Sequence, residues 1–312
     1  MTTTDVKIVP IETPTLGNRT YVVHDGEVAF VVDPQRDIDR VLGILDEHGV
    51  RLTDVFETHI HNDYVTGGLA LAKRTGAAYH VNADDDVSFD RTPIRDGDTV
   101  QVGSRMLVTA IATPGHTFTH LSYGLNELAP TETATGIGSS VCVFSGGSLL
   151  FGATGRPDLL GEEHADTLAR HQHASAHKLA DLLPGDADVF PTHGFGSFCA
   201  ATQSDSTEST IDQERESNPV LTQDEADYVR ELLDGLGAWP SYYVHMMPMN
   251  AEGRPNRTCP RRRLPTPSSC AAASRPGNGS WTCATVRPSR PDTRRVPSTS
   301  GSRVLSPPTW VG

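Results

Sequence analysis

Leu52–Thr58 is an apolar run of strand character, and it opens straight into H-I-H-N-D-Y at residues 59–64. Side chains alternate across an extended segment, so His59 and His61 face the same way and Asp63 comes next in line. Loops at strand ends are where a rigid fold turns such side chains toward one cavity. Two further histidines stand in the same kind of place. His116 follows an apolar strand in T-P-G-H-T, and His193 follows another in P-T-H-G. Four histidines at strand exits fit a metal centre better than a scatter of surface residues. His171, His173 and His177, on a polar helix face, read as solvated, as do His24, His48, His80, His120, His164 and His245.

The runs around this motif imply two sheets with helices outside, an α+β fold. Strands are expected at Val6–Ile11, Tyr21–His24, Val28–Val32, Leu52–Thr58, Ala78–Val81, Met106–Thr113, Leu121–Gly124, Val141–Ser145, Leu149–Phe151 and Val189–Phe190. Ile38, Val41, Leu42 and Leu45 recur at helical spacing before Gly49, and L-A-L-A-K-R-T-G reads as a short helix. A longer helix is expected over His164–Leu183. Another should cover residues 221–237, capped by Thr222.

Composition divides the chain near residue 250. Residues 251–312 hold eleven arginines, no lysine and two acids, whereas residues 1–250 hold 15 basic and 37 acidic side chains. The body, residues 1–250, is therefore the expected folded domain. Its negative charge disfavours nucleic acid and anionic membranes as partners. From residue 254 on there is no Ile, Phe, Tyr or Met among many Arg, Pro, Ser and Thr, so a disordered basic tail is expected over 251–312. Only Cys142 and Cys199 of the five cysteines lie in the body, which is no disulfide framework and suits a reducing cytoplasm. The N-terminal residues have the features of neither a signal peptide nor a membrane span.

T-H-I-H-N-D-Y, T-P-G-H-T and P-T-H-G together resemble the metallo-β-lactamase superfamily, whose signature is T-H-x-H-x-D-H, over about residues 5–250. Within it, G-R-P-D-L (residues 155–159) and H-G-F-G-S-F-C (residues 193–199) are similar to the persulfide dioxygenases, especially those fused to a C-terminal rhodanese domain. The resemblance implies a four-layer αββα sandwich with the metal at one edge of the paired sheets. In such a fusion the tail stands where the rhodanese domain would continue. It reads either as an out-of-frame translation of that region or as a basic nucleic-acid-binding arm.

Two departures from the pattern decide the metal count. The signature's last histidine is Tyr64, and the aspartate of F-T-G-D-T-L-F is Gly147 in F-S-G-G-S-L-L-F. In two-metal members the first ion takes the positions of His59, His61 and His116. The second takes those of Asp63, Tyr64 and His193, and the missing aspartate bridges both. Two divalent ions about 3.5–4 Å apart need anionic bridging ligands to offset their repulsion. Gly147 offers nothing, and a tyrosine is a poor ligand unless ionised, so one ion is expected. Three histidines with open positions suit zinc, and they also resemble a non-haem iron(II) arrangement.

The favoured expectation is one Fe(II) per chain, with zinc as the alternative, held by His59, His61 and His116. Asp63 would complete the shell or stand beside it, and His193 would orient substrate or a water. The implied reaction takes a low-molecular-weight thiol persulfide and O2 to sulfite and thiol. A zinc thioester hydrolase of the glyoxalase II type and a metal-poor scaffold without chemistry are the alternatives. Arg156 and Asp158 are expected to form a structural ion pair, Cys199 to be a buried small residue, and Tyr242 and Tyr243 to pack against the sheet or line the substrate pocket.

Overall fold

A computed structural model describes residues 6–128, 137–204 and 206–253. The expected tail, 251–312, lies outside them from residue 254 onward. The first sheet runs in the order β1 (Lys7–Thr13), β2 (Asn18–His24), β3 (Val28–Val32), β4 (Arg51–Phe56), β5 (Ala78–Asn82) and β6 (Thr92–Ile94). It opens as an antiparallel meander and continues parallel from β3 to β6. The second sheet contains β7 (Thr99–Val102), β8 (Met106–Ala112), β9 (Leu121–Glu127), β10 (Cys142–Gly146) and β11 (Asp188–Pro191), in the order β11-β10-β9-β8-β7. Its pairs are antiparallel except β10 with β11, which needs a crossover. That crossover is the longest described helix.

Helices cover both outer faces. On the first sheet lie α1 (Asp39–His48) and α2 (Gly68–Thr75), where Val41, Leu45, Leu71 and Ala72 pack on Val22, Ala29, Val31 and Val55. On the second lie α3 (Glu162–Leu182), α4 (Ile211–Ser217), α5 (Pro219–Thr222) and α6 (Glu225–Asp234), with Ala169, Ala176 and Leu179 against Val143 and Val189. The last described helix is α7 (Tyr243–Glu252). Between the sheets sit Tyr21, Phe30, Phe56, Tyr123 and Phe144, all buried. Phe30 meets Phe56 and Phe144 edge to face, with ring centroids 5.6 and 5.8 Å apart. Burying each such ring contributes roughly 1.5–3 kcal/mol, and edge-to-face contact adds about 0.5–1.5. The four αββα layers of an α+β fold are thus present.

Local readings shift in three places. Leu149–Phe151 is a turn rather than a strand, closed by a bridge between Leu150 and Ala153 around left-handed Gly152. The helix expected over 221–237 is two helices. Thr222 ends α5, and Asp224 caps α6 by accepting from the Asp227 N–H at 3.0 Å. Neither β6, β7, α4 nor α7 stands out in the sequence. α4 nonetheless carries a capping box, in which the Thr210 and Gln213 side chains satisfy each other's backbone N–H.

What positions the site is a shared edge. β3, β4, β8, β10 and β11 run out there into Asp33, Glu57–Asp63, Thr113–His116, Gly147 and His193, and β2 begins there at Asn18.

Candidate metal centre

Five buried donor atoms without hydrogen-bond partners meet at this edge: His59 Nε2, His61 Nδ1, Asp63 Oδ1, His116 Nε2 and His193 Nε2. Leaving such atoms dry and unpaired costs about 1–3 kcal/mol each, so their convergence needs a reason. They fall into two groups, each with its ligand atoms within 4.8 Å of one another. One is His59, His116 and His193; the other is His61, Asp63 and His193. The expected metal ligands His59, His61 and His116 stand in this cluster together with Asp63 and His193. His193 belongs to both sets, and His61 pairs with Asp63.

The opposite ring nitrogens fix the tautomers. His116 Nδ1–H donates to the Arg156 carbonyl (2.8 Å), and His193 Nδ1–H to Asn18 Oδ1 (3.1 Å). His59 Nδ1 lies 2.9 Å from Thr58 Oγ1, whose own proton goes to Asp33 Oδ2 at 2.7 Å. The hydroxyl must therefore accept from His59, and all three rings turn an Nε2 lone pair inward. Burial and the neighbouring imidazoles push His59 well below the usual histidine range, and burial leads in holding His116 and His193 down to about 3. Neutral imidazole is the form that binds metal.

His61 is held differently. Its Nε2 lies 3.1 Å from Glu57 Oε2, 3.2 Å from Asp33 Oδ1 and 2.9 Å from the Tyr64 hydroxyl. Burial would lower its pKa, but the Asp33 and Glu57 carboxylates outweigh this and raise it to about 10. A carboxylate behind a histidine also orients the ring and raises its basicity as a ligand, here leaving Nδ1 to face the site. Tyr64, in the place of the signature's last histidine, points away. Burial, with Asp33 and Glu57 beside it, keeps its phenol protonated well above the ordinary range.

Sequence reasoning missed the supports. Asp33, with φ +50°, accepts from Thr58 N and Thr58 Oγ1 (2.7 Å each) and from Thr192 Oγ1, so it ties together the strand ends that carry His59 and His193. Asn18 donates to Asp63 Oδ2 (2.5 Å) while holding His193. His120 is buried rather than solvated: it accepts from Gly147 N at 2.9 Å, donates to Thr113 Oγ1, and stacks on His59. His24 and His80 are also buried, His80 against Asp54 at 2.8 Å. Gly147 is the one residue type that fits its place, since a Cβ there would stand 2.4 Å from His116 Cδ2. Arg156 and Asp158 form the expected pair, bidentate at 2.6 and 2.7 Å, which steadies the carbonyl that holds His116. Cys199 is fully buried, its thiol raised by burial and by Asp63. Tyr243 is buried beside Cys199, whereas Tyr242 is 41% exposed.

No family model matches the chain. Among curated proteins it is 30% identical over 219 residues to a mitochondrial persulfide dioxygenase ETHE1 of Bos taurus, covering 68% of this chain and 74% of that protein. The Homo sapiens counterpart gives 29% over 215 residues with the same coverage. The crystal structure of ETHE1 from Myxococcus xanthus superposes with a TM-score of 0.65 at 26% identity, over 78% of this chain and 98% of that one. The chain belongs to the metallo-β-lactamase superfamily, and is of the ETHE1-like kind. A Staphylococcus aureus metallo-β-lactamase structure shares the fold, with a TM-score of 0.71 at 24% identity over 80% of this chain and 73% of that one. A hydroxyacylglutathione hydrolase of Rhodopseudomonas palustris is 34% identical over 128 residues, 39% of this chain and about half of its own length, at 48%. This ETHE1-like chain is thus an enzyme-type member of the superfamily with a cluster built for a metal cofactor.

Proposed function

We propose that the protein is a mononuclear metal enzyme that oxidises a low-molecular-weight thiol persulfide. The observation that carries the metal count is the double membership of His193. Its Nδ1 is committed to Asn18, so a single Nε2 lone pair serves both donor groups. One lone pair cannot ligate two ions, and Gly147 supplies no carboxylate to bridge them.

Iron(II) would supply the redox chemistry of the balanced reaction R–S–SH + O2 + H2O → R–SH + H2SO3. Side chains of the protein do the rest. Asn18 fixes the separation of Asp63 and His193, Asp33 locks the strand exits, and the protonated Tyr64 adds no anion. His59, His116 and His193, held neutral by burial, bring no negative charge to a bound cation, which favours an anionic persulfide as substrate. The cytoplasm remains the proposed compartment, in keeping with two free thiols, Cys142 and Cys199, among the described residues. No described helix is long and apolar enough to cross a membrane.

The test is oxygen uptake and sulfite release by iron-loaded protein given a glutathione-like persulfide, with zinc-loaded protein inert. The likeness to hydroxyacylglutathione hydrolase supports a second reading, a zinc thioester hydrolase. Rapid thioester cleavage by the zinc form, with no oxygen uptake by the iron form, would replace the first reading with that one.

A further inference from the structure

Away from the strand-exit edge, α3 carries another histidine arrangement. H-Q-H-A-S-A-H, residues 171–177, puts His173 and His177 four positions apart, so they stand one above the other on the same helix face. Their polar surroundings predict three solvated rings. In the structure His171 is exposed, whereas His173 and His177 are half-buried, with ring centroids 4.4 Å apart at 41°.

The ring nitrogens are not equivalent. His173 Nε2 stands 3.3 Å from the Gln223 carbonyl oxygen, which can only accept, so this nitrogen carries the proton and Nδ1 carries the lone pair. A backbone carbonyl behind the ring is how metal-binding imidazoles are commonly oriented. His177 Nε2 is buried and has no hydrogen-bond partner. Gln223 Oε1 is likewise buried and unpartnered, while its Nε2 donates to Glu231 Oε2 at 2.7 Å. Buried polar atoms without a partner are uncommon, and here two belong to the residues that meet His173.

We propose that His173 and His177 chelate a late first-row divalent ion, Zn(II) or Cu(II), at a second site on α3 beside the junction of α5 and α6. Two imidazoles at i and i+4 are the helical pair that zinc sites reuse. Neutral nitrogen donors select zinc and copper over magnesium, calcium or manganese. Asp181, one turn beyond His177, adds negative charge to the same row. The site is independent of the reaction assigned to the strand-exit centre and leaves that centre mononuclear. Its consequence is mechanical. Through His173, whose other nitrogen holds Gln223, the ion would tie α3 to the chain between α5 and α6.

The test titrates the full chain with Zn(II) beyond the first equivalent. Competition with a chromophoric chelator gives the number and affinity of the ions, and imidazole NMR resonances identify the ligands. Wild type should bind a second, weaker Zn(II) that shifts the resonances of His173 and His177. His173→Gln and His177→Gln should each weaken that ion about 10-fold or more and leave the first unchanged. His171→Gln, on the same helix but exposed, should alter neither. Circular dichroism reports folding, and two single variants keep the test decisive if one fails to fold. Equal weakening by His171→Gln would mean an adventitious surface ion only and would overturn the proposal, as would no second ion in excess Zn(II). A second ion lost in Asp63→Asn but kept in both α3 variants would belong to the strand-exit centre, and the proposal and the mononuclear reading would fall together.

Discussion

The side-chain amide of Asn250, on α7, donates to the backbone carbonyls of both His61 and Tyr64 at 2.9 Å, and its oxygen accepts from Thr66 N at 3.0 Å. One residue near the end of the described chain thus staples the loop that follows β4. Asn250→Ala would leave buried carbonyls unpaired and should cost about 1–3 kcal/mol. Urea denaturation should show that loss, and metal affinity should fall with it. Truncation before residue 250 should behave alike, so the segment needed for the site reaches Asn250.

Gly147→Ala tests the space around His116. The added methyl would stand 2.4 Å from Cδ2 and 2.7 Å from Cγ of that ring, and overpacking of this kind costs typically about 1–3 kcal/mol. The expected result is a lowered Tm and weaker metal binding. In a His116→Ala background the same substitution should be nearly neutral. A double-mutant cycle on metal-free protein that shows simple additivity would refute this steric coupling.

Asp33 is buried, has a left-handed backbone and receives bonds from Thr58, Thr192 and His61. Asp33→Ala should destabilise the fold by about 3–5 kcal/mol, because His61 loses a counter-charge and several donors lose their acceptor. Asp33→Asn should be milder, since asparagine tolerates that backbone and still accepts hydrogen bonds. Equal stability of the two variants in urea would show that the acceptor count is irrelevant here.

Asp85 provides a pH dependence away from the metal. Its Oδ2 is buried without a partner, and burial raises its pKa to about 6 from 3.8. The folded state therefore binds this proton more tightly than the unfolded state. The stabilisation is complete below the unfolded value near 3.8 and is lost as pH rises through about 6. Asp85→Asn should raise stability above pH 7 by roughly 1–3 kcal/mol relative to wild type, and much less near pH 4. A Tm difference that does not change with pH would contradict it.

How much of this could be read from the residues alone follows from what is local and what is not. The strand ending in H-x-H-x-D, and the histidines after two other apolar runs, announce themselves because alternation and turn residues act over a few positions. β1 to β5, β8 to β11 and α3 were legible for the same reason. Asn18, Asp33, His120 and Asn250 were not, because their roles come from backbone crossings between positions far apart in the chain. A lone asparagine at a hairpin or in a short helix such as α7 carries no local sign that it will clamp a histidine or its loop. Nor does spacing reveal that His61 turns Nε2 to Glu57 and Asp33, which leaves Nδ1 as its free nitrogen. β6 and β7 escaped notice because at three and four residues they are too short to show alternation.

The site is assembled from residues 18, 33, 57–63, 116, 147 and 193, and stapled by residue 250. A chain emerging from the ribosome cannot complete it until the residues through Asn250 have left the exit tunnel. Only then can the strand ends and α7 close on one another. Metal acquisition is therefore a late event in the life of each molecule, governed by which ion the cell has free when folding finishes.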